Sequence, residues 1–283
     1  MSKPAIMTDT NSGITPEAAA EKGLYLLKMP FLIDGEDHLE YGDISYEEFF
    51  RRLDSGADVS TSQPSPASLT DMWDGILKSH DELVYIPMSS GLSGTCETAK
   101  ALAADYDGKV FVADNRRISV TLYMSVYEAL RLSESGMSAA EITERLESEA
   151  DFQSIYVSVN TLEHLKKSGR VTAAGAAIGT VLGIKPVLQI QGGKLDAYKK
   201  VRGMKAAQQA MLEGIENDIK DRFAGKKVEI RTAYSGDRET GEAWRAEVQR
   251  YFPDYNIVLD SLPISISCHV GGGALGIGLA EIK

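Results

Sequence analysis

The chain of 283 residues is 43% hydrophobic and 25% charged, an ordinary globular composition long enough for two domains. Its 41 acidic against 30 basic residues give a net charge of -11. That balance excludes the basic face a nucleic-acid binder needs and disfavours adsorption to anionic lipid headgroups.

In chain order, the first half alternates apolar runs with amphipathic stretches, the rhythm of βαβ units and a parallel sheet. Strands are predicted over 5–7, 25–33, 83–87 and 110–112. Helices are predicted over 16–22, 46–53, 66–78, 93–106, 119–135 and 139–150. Thr15 before Pro16 reads as an N-cap followed by a proline at the first helical position. Ser45 with Glu48, and Ser138 with Glu141, have the spacing of capping boxes. The rhythm changes near residue 152. A strand over 155–159 is followed by helices over 162–168 and 172–182, then a hairpin of 185–190 and 195–201 turning at Gly192-Gly193. Helix 204–222, strand 228–233, helix 239–251, strand 257–262 and a glycine-rich close complete the chain. The expectation is an α/β protein of two domains, residues 1–152 around a parallel sheet and residues 153–283 with mixed α/β structure.

The stretch "VTAAGAAIGTVLGIKPVLQI" is broken by Lys185-Pro186. About 14 residues precede the break, short of the ~20 that cross a bilayer. It reads as a buried helix and a strand, so stable membrane insertion is not expected. Cys96 and Cys268 are far apart and form no ligand-like pair. With no signal-peptide pattern at the N-terminus, they point to a reducing cytoplasm.

Polar chemistry collects where strands end. "AIMTDTNS" stops in Thr8 to Ser12, "VYIPMSSG" in Ser89-Ser90, "VFVADN" in Asp114-Asn115, and "DVSTSQPSP" adds Thr61 and Ser62. Such residues routinely cap helices. Several of them at the carboxyl ends of one sheet also mark where open α/β folds bind ligands. The loop from Ser89 to Thr95 feeds a helix N-terminus, a collector of anions. It lacks the P-loop lysine and the G-x-G-x-x-G spacing of nucleotide sites. A carboxylate suits it better than a nucleotide's phosphates.

The chain has four histidines. His38 and His80 lie in charged, loop-like contexts and are expected to be solvated, and His164 sits on a polar helix. His269 stands between an apolar run and three glycines, and the sequence leaves core and site open for it. No histidine spacing suggests a metal site. Acyl hydrolysis or transfer, with Ser93 or Ser90 as nucleophile and His269 as base, is the alternative enzyme reading. Against it, G-x-S-x-G is absent, and only Asp9 or Asp114 could orient the imidazole. A small-anion or sugar-phosphate binder is a third reading. Lys166, Lys167 and Arg170, then Lys199, Lys200 and Arg202, form basic clusters that are solvated faces or the flanks of a pocket mouth.

The segments "TDTNSGI", "TSQPSP", "SSGLSGTCETA", "LEHLKKSGRV", "GIKPVLQIQGGKL", "KKVR" and "HVGGGALGIG" occur in this order between residues 8 and 278. Together they resemble the DegV family of bacterial fatty-acid-binding proteins. Asn11 and Gly13 depart from the family's more common T-D-S-T-x-D. The resemblance implies two α/β domains with one long-chain fatty acid buried between them and no cofactor. It implies that the chain is not itself an enzyme but presents the carboxylate to a partner fatty acid kinase. By the same resemblance Thr61, Ser93 and Gly94 hold the carboxylate with His269 beside it. Arg170 and Arg202 dock the kinase from outside the acyl tunnel, and the small-residue helix lines the acyl pocket.

Overall fold

The structure, a computed structural model, describes residues 3–177 and 183–282. The first half runs β1 (Ala5–Asp9), α1 (Pro16–Lys22), β2 (Tyr25–Leu27), β3 (Pro30–Ile33), β4 (Glu36–Leu39) and α2 (Tyr46–Asp54). It continues through β5 (Val59–Thr61), α3 (Pro66–Ile76), β6 (Leu83–Ile86), α4 (Thr95–Ala103), β7 (Val110–Val112), α5 (Ser119–Glu134) and α6 (Ala139–Ser148). Four of these strands form a sheet in the order β2-β1-β6-β7, all parallel, as the βαβ rhythm predicts. The expected caps are in place. Thr15 accepts from the Ala18 amide, and Ser138 with Glu141 closes a full capping box. Ser45 accepts from the Glu48 amide, but the Glu48 carboxylate turns to Arg51 and Arg52, leaving that box half made.

The strand expected over 25–33 divides into β2 and β3, which belong to different sheets. Pro30 has no N–H to offer a ladder, and the Met29 amide turns to Thr10 Oγ1 at 3.1 Å. β3 instead joins a small antiparallel sheet, β4-β3-β5, that sequence reasoning missed. Its hairpin turns at Asp34-Gly35, both with positive φ, the signature of a two-residue turn. His38 was expected to be solvated, but it lies buried in this sheet. It stacks on Phe31 and holds Asp43 at 3.0 Å through Nδ1.

The second half runs β8 (Gln153–Ser158), α7 (Glu163–Ser168), α8 (Ala173–Ala176), β9 (Ile184–Ile190), β10 (Asp196–Arg202), α9 (Met204–Lys220) and β11 (Val228–Tyr234). It ends with α10 (Arg238–Tyr251), β12 (Val258–Ser261), α11 (Ile264–Val270) and β13 (Leu275–Glu281). These strands form one mixed sheet, β10-β9-β8-β13-β11-β12, in which only β11 and β12 run parallel. The hairpin expected around Gly192-Gly193 is present as β9 and β10. The glycine-rich close, to which the sequence assigned no element, contains a central strand, β13. At Gly278 a Cβ would collide with Val120 Cγ2, so the missing side chain lets α5 lie against β13. Of the helix expected over 172–182, the described part is α8, and residues 178–182 lie outside the described residues.

One apolar cluster packs Leu122, Val126 and Ala129 of α5 against Ile6, Val84 and Ile86 of the parallel sheet. Val120, two residues before Leu122, belongs to a second cluster with Ile155, Val157 and Leu188 of the mixed sheet. One helix therefore contributes to the cores of both sheets. No helix among the described residues is long and apolar enough to cross a membrane.

Candidate functional site

A cavity of about 330 Å³ opens where the carboxyl ends of the parallel sheet meet the mixed sheet. Met88 and Leu92 follow β6, Ile118 and Val120 lead into α5, and Ile155, Val157, Ile190 and Ile277 come from β8, β9 and β13. These side chains make an apolar body. The polar residues of the lining are Asn11, Thr61, Ser62, Gln63, Ser93, Ser119, Arg170, Ser265 and His269.

The elements explain why these groups converge. Thr61 ends β5, whose pairing with Phe31 of β3 fixes its direction. Ser93 lies in the loop between β6 and α4, where the Leu92 and Ser93 amides both donate to the Ser89 carbonyl. Its hydroxyl sits 2.9 Å from Thr95 Oγ1 and accepts from the Thr95 amide at 3.2 Å. His269 rides on α11, a helix that sequence reading left as an apolar run. Pro263 gives that helix no side-chain cap. Glu40, from the other half of the chain, accepts the Ile264 amide at 2.5 Å and the Ser265 amide at 3.3 Å in its place. Ser265 Oγ lies 2.8 Å from both Glu40 Oε2 and Asn11 Oδ1, so α11 is tied to the end of β1. Burial pushes the Glu40 carboxyl up to about 6, against the pull of these donors.

Thr61 Oγ1 and His269 Nε2 lie 2.9 Å apart. Burial, with the Arg170 charge nearby, lowers the His269 imidazole to about 4, so the ring is neutral at pH 7. Its buried Nδ1 has no hydrogen-bond partner among the described residues. A bare acceptor is better tolerated there than an orphaned N–H, which places the proton on Nε2, donating to Thr61. The Thr61 hydroxyl is then free to donate to a ligand. Asp9 and Asp114, the two carboxylates that could have oriented His269, are engaged elsewhere. Asp9 accepts the Asn11 and Met88 amides, and Asp114 accepts the Ser90 and Arg116 amides.

The structure thus brings Thr61, Ser93, Gly94 and His269 to the wall of one cavity, Thr61 and His269 in direct contact. It separates the two arginines. Arg170 was expected outside the tunnel, but it lines the cavity. The chain turns at Gly169 in the left-handed region, and the guanidinium folds back so that Nε donates to the Leu92 carbonyl at 3.4 Å. Arg202 is exposed at the end of β10 and lines a different hollow beside α9 and α10. The described part of the 172–182 segment also lies away from the cavity, Ala174 and Ala177 lining a hollow with residues 197–200. Glu40 and Ser265 carried no sequence signal, because their role arises from a contact between distant segments. Gln63 lay inside the quoted "TSQPSP" but was passed over.

The family model described as an uncharacterised protein of the DegV family matches residues 3–281. A DegV domain-containing protein from Deinococcus radiodurans is 30% identical over 281 residues, covering 99% of both chains. Among solved structures, a DegV family protein from Thermus thermophilus described for its fatty acid binding superposes with a TM-score of 0.90. It is 28% identical over 99% of this chain and 100% of that one. A fatty-acid-binding DegV family protein from Streptococcus agalactiae superposes at 0.89 with 26% identity, covering 100% of both chains.

Proposed function

The chain belongs to the DegV family, and from that premise we propose that it carries a long-chain fatty acid in the cavity and presents the carboxylate to a partner fatty acid kinase. The observation that carries this reading is the lining, an apolar body to which Thr61, Ser93 and His269 add hydroxyls and an imidazole, with Thr61 and His269 in direct contact. An acyl tail gains ~0.8 kcal/mol for each methylene it buries. The carboxylate accepts from Thr61 and Ser93, and charge-assisted bonds of this kind are the strong ones. Arg170 adds a positive charge near His269, and Arg202, exposed and lining a different hollow, is left for contact with the partner. The kinase supplies the nucleotide chemistry of acyl-phosphate formation, and the setting is the cytoplasm.

The hydrolase alternative lacks its machinery. His269 is paired with a threonine rather than a candidate nucleophile, the Ser93 hydroxyl is held by Thr95, and the imidazole has no carboxylate partner among the described residues. The test is organic extraction of protein purified without detergent, followed by mass spectrometry. About one long-chain fatty acid per chain is expected. Water-soluble anions alone would refute the carrier reading.

A further inference from the structure

Gln63 lies two residues after Thr61 in the short segment between β5 and α3, and it is exposed yet lines the cavity. Its amide oxygen accepts the Thr98 hydroxyl at 3.0 Å. Thr98 belongs to α4 and is not among the cavity-lining residues. With the oxygen engaged there, Nε2 lies against Gly94, so close that a Cβ on residue 94 would collide with it. Nε2 makes no hydrogen bond to the protein among the described residues. The φ of -73° at Gly94 is open to any residue, so in this arrangement the missing side chain serves to leave room for the Gln63 amide, which a Cβ would push aside. Fixing a long exposed amide costs side-chain entropy, up to about 2 kcal/mol. A single bond to an exposed threonine offsets little of that cost.

We infer that Gln63 is a further head-group ligand, its Nε2 donating to the carboxylate of the cargo while Thr98 orients the amide and Gly94 makes room for it. This rests on the reading of the cavity as a fatty acid site. Two physical consequences distinguish a ligand from a mere strap across the mouth. A bond from an amide to a carboxylate is charge-assisted, whereas the bond to an alcohol of the same chain length is not. Loss of Gln63 therefore acts on the preference for acid over alcohol. Thr98, which touches only the amide oxygen, acts in the same direction without altering the cavity wall.

The experiment uses the full chain stripped of lipid, with hexadecanoic acid and hexadecanol competing against a fluorescent fatty acid at pH 7.5. Gln63→Ala is expected to weaken the acid by about 10- to 150-fold, the range for loss of one bond to a charged group, and the alcohol by less than about tenfold, the upper range for a neutral bond. Thr98→Val is expected to lower the acid-to-alcohol preference by a smaller factor. Gln63→Glu is expected to bind the acid more weakly than Gln63→Ala, because two carboxylates then face each other. Equal loss of acid and alcohol in Gln63→Ala would make the residue a strap and overturn the inference. An unchanged preference in Thr98→Val would overturn the orienting role. A wild-type chain that binds neither compound would overturn the fatty acid reading and this inference with it. Variants that keep the wild-type preference would overturn the inference alone.

Discussion

Replacing Thr61 by valine removes one hydroxyl and nearly conserves volume, so it isolates the Thr61–His269 contact. In the unliganded protein the change deletes a 2.9 Å hydrogen bond and leaves His269 Nε2 without its acceptor, on a ring whose Nδ1 already has no partner among the described residues. Leaving such a buried group unpaired costs about 1–3 kcal/mol. Valine suits the end of a strand, so no backbone penalty is added. The melting temperature should fall by roughly 2–6 °C for a chain of this size. With cargo bound, the loss also removes a donor to a carboxylate, worth about 1.5–3 kcal/mol, or roughly 10- to 150-fold in affinity. Displacement of a fluorescent fatty acid and thermal unfolding, run on the same preparations, measure the two effects. Thr61→Ser should restore both. His269→Ala should weaken binding too, and its combination with Thr61→Val should be less than additive because the two act along one hydrogen-bonded chain. If Thr61→Val lowered stability but left affinity within about twofold, the carboxylate would lie elsewhere, and the Thr61–His269 pair would be only a structural brace.

The two arginines should now behave differently. Arg170→Ala should weaken fatty acid retention several-fold, most strongly at low salt, whereas Arg202→Ala should leave bound lipid unchanged and lower only acyl-phosphate formation with the kinase and ATP; equal lipid content in both variants would refute the separation. A buried acid supplies a pH prediction. Burial raises the Asp9 carboxyl from 3.8 to about 6, despite amide donors from Met88 and Asn11. The folded state then holds more protons than the unfolded state between these values, so the Asp9 contribution to stability falls as pH rises through that window. Asp9→Asn should therefore gain about 2 kcal/mol relative to wild type between pH 4 and pH 7, read by urea unfolding at both. A pH-independent difference would show that Asp9 is not strained by its burial.

Much of the architecture is written in local windows of the chain. Caps such as Ser138 with Glu141 are satisfied within four residues, and apolar runs such as residues 83–86 have one buried fate. The resemblance of the motif segments to the DegV family put forward Thr61, Ser93, Gly94 and His269 together. Position alone marked only the hydroxyl-rich strand ends and left His269 open between core and site. What the windows lacked was any record of distance through space. The glycine-rich close carried no element assignment because glycine is a poor strand former alone, and only α5 lying against it shows why Gly278 belongs in β13. α11 carries no cap of its own, since Glu40 supplies one from 224 residues away. Arg170 and Arg202 looked alike as members of basic clusters, and the turn at Gly169 sent one of them to the cavity. Thr61 and His269 are 208 residues apart in sequence and share one hydrogen bond. Propensity and capping act over a few residues, whereas a site at the junction of two sheets depends on strand order. Tertiary packing alone sets that order.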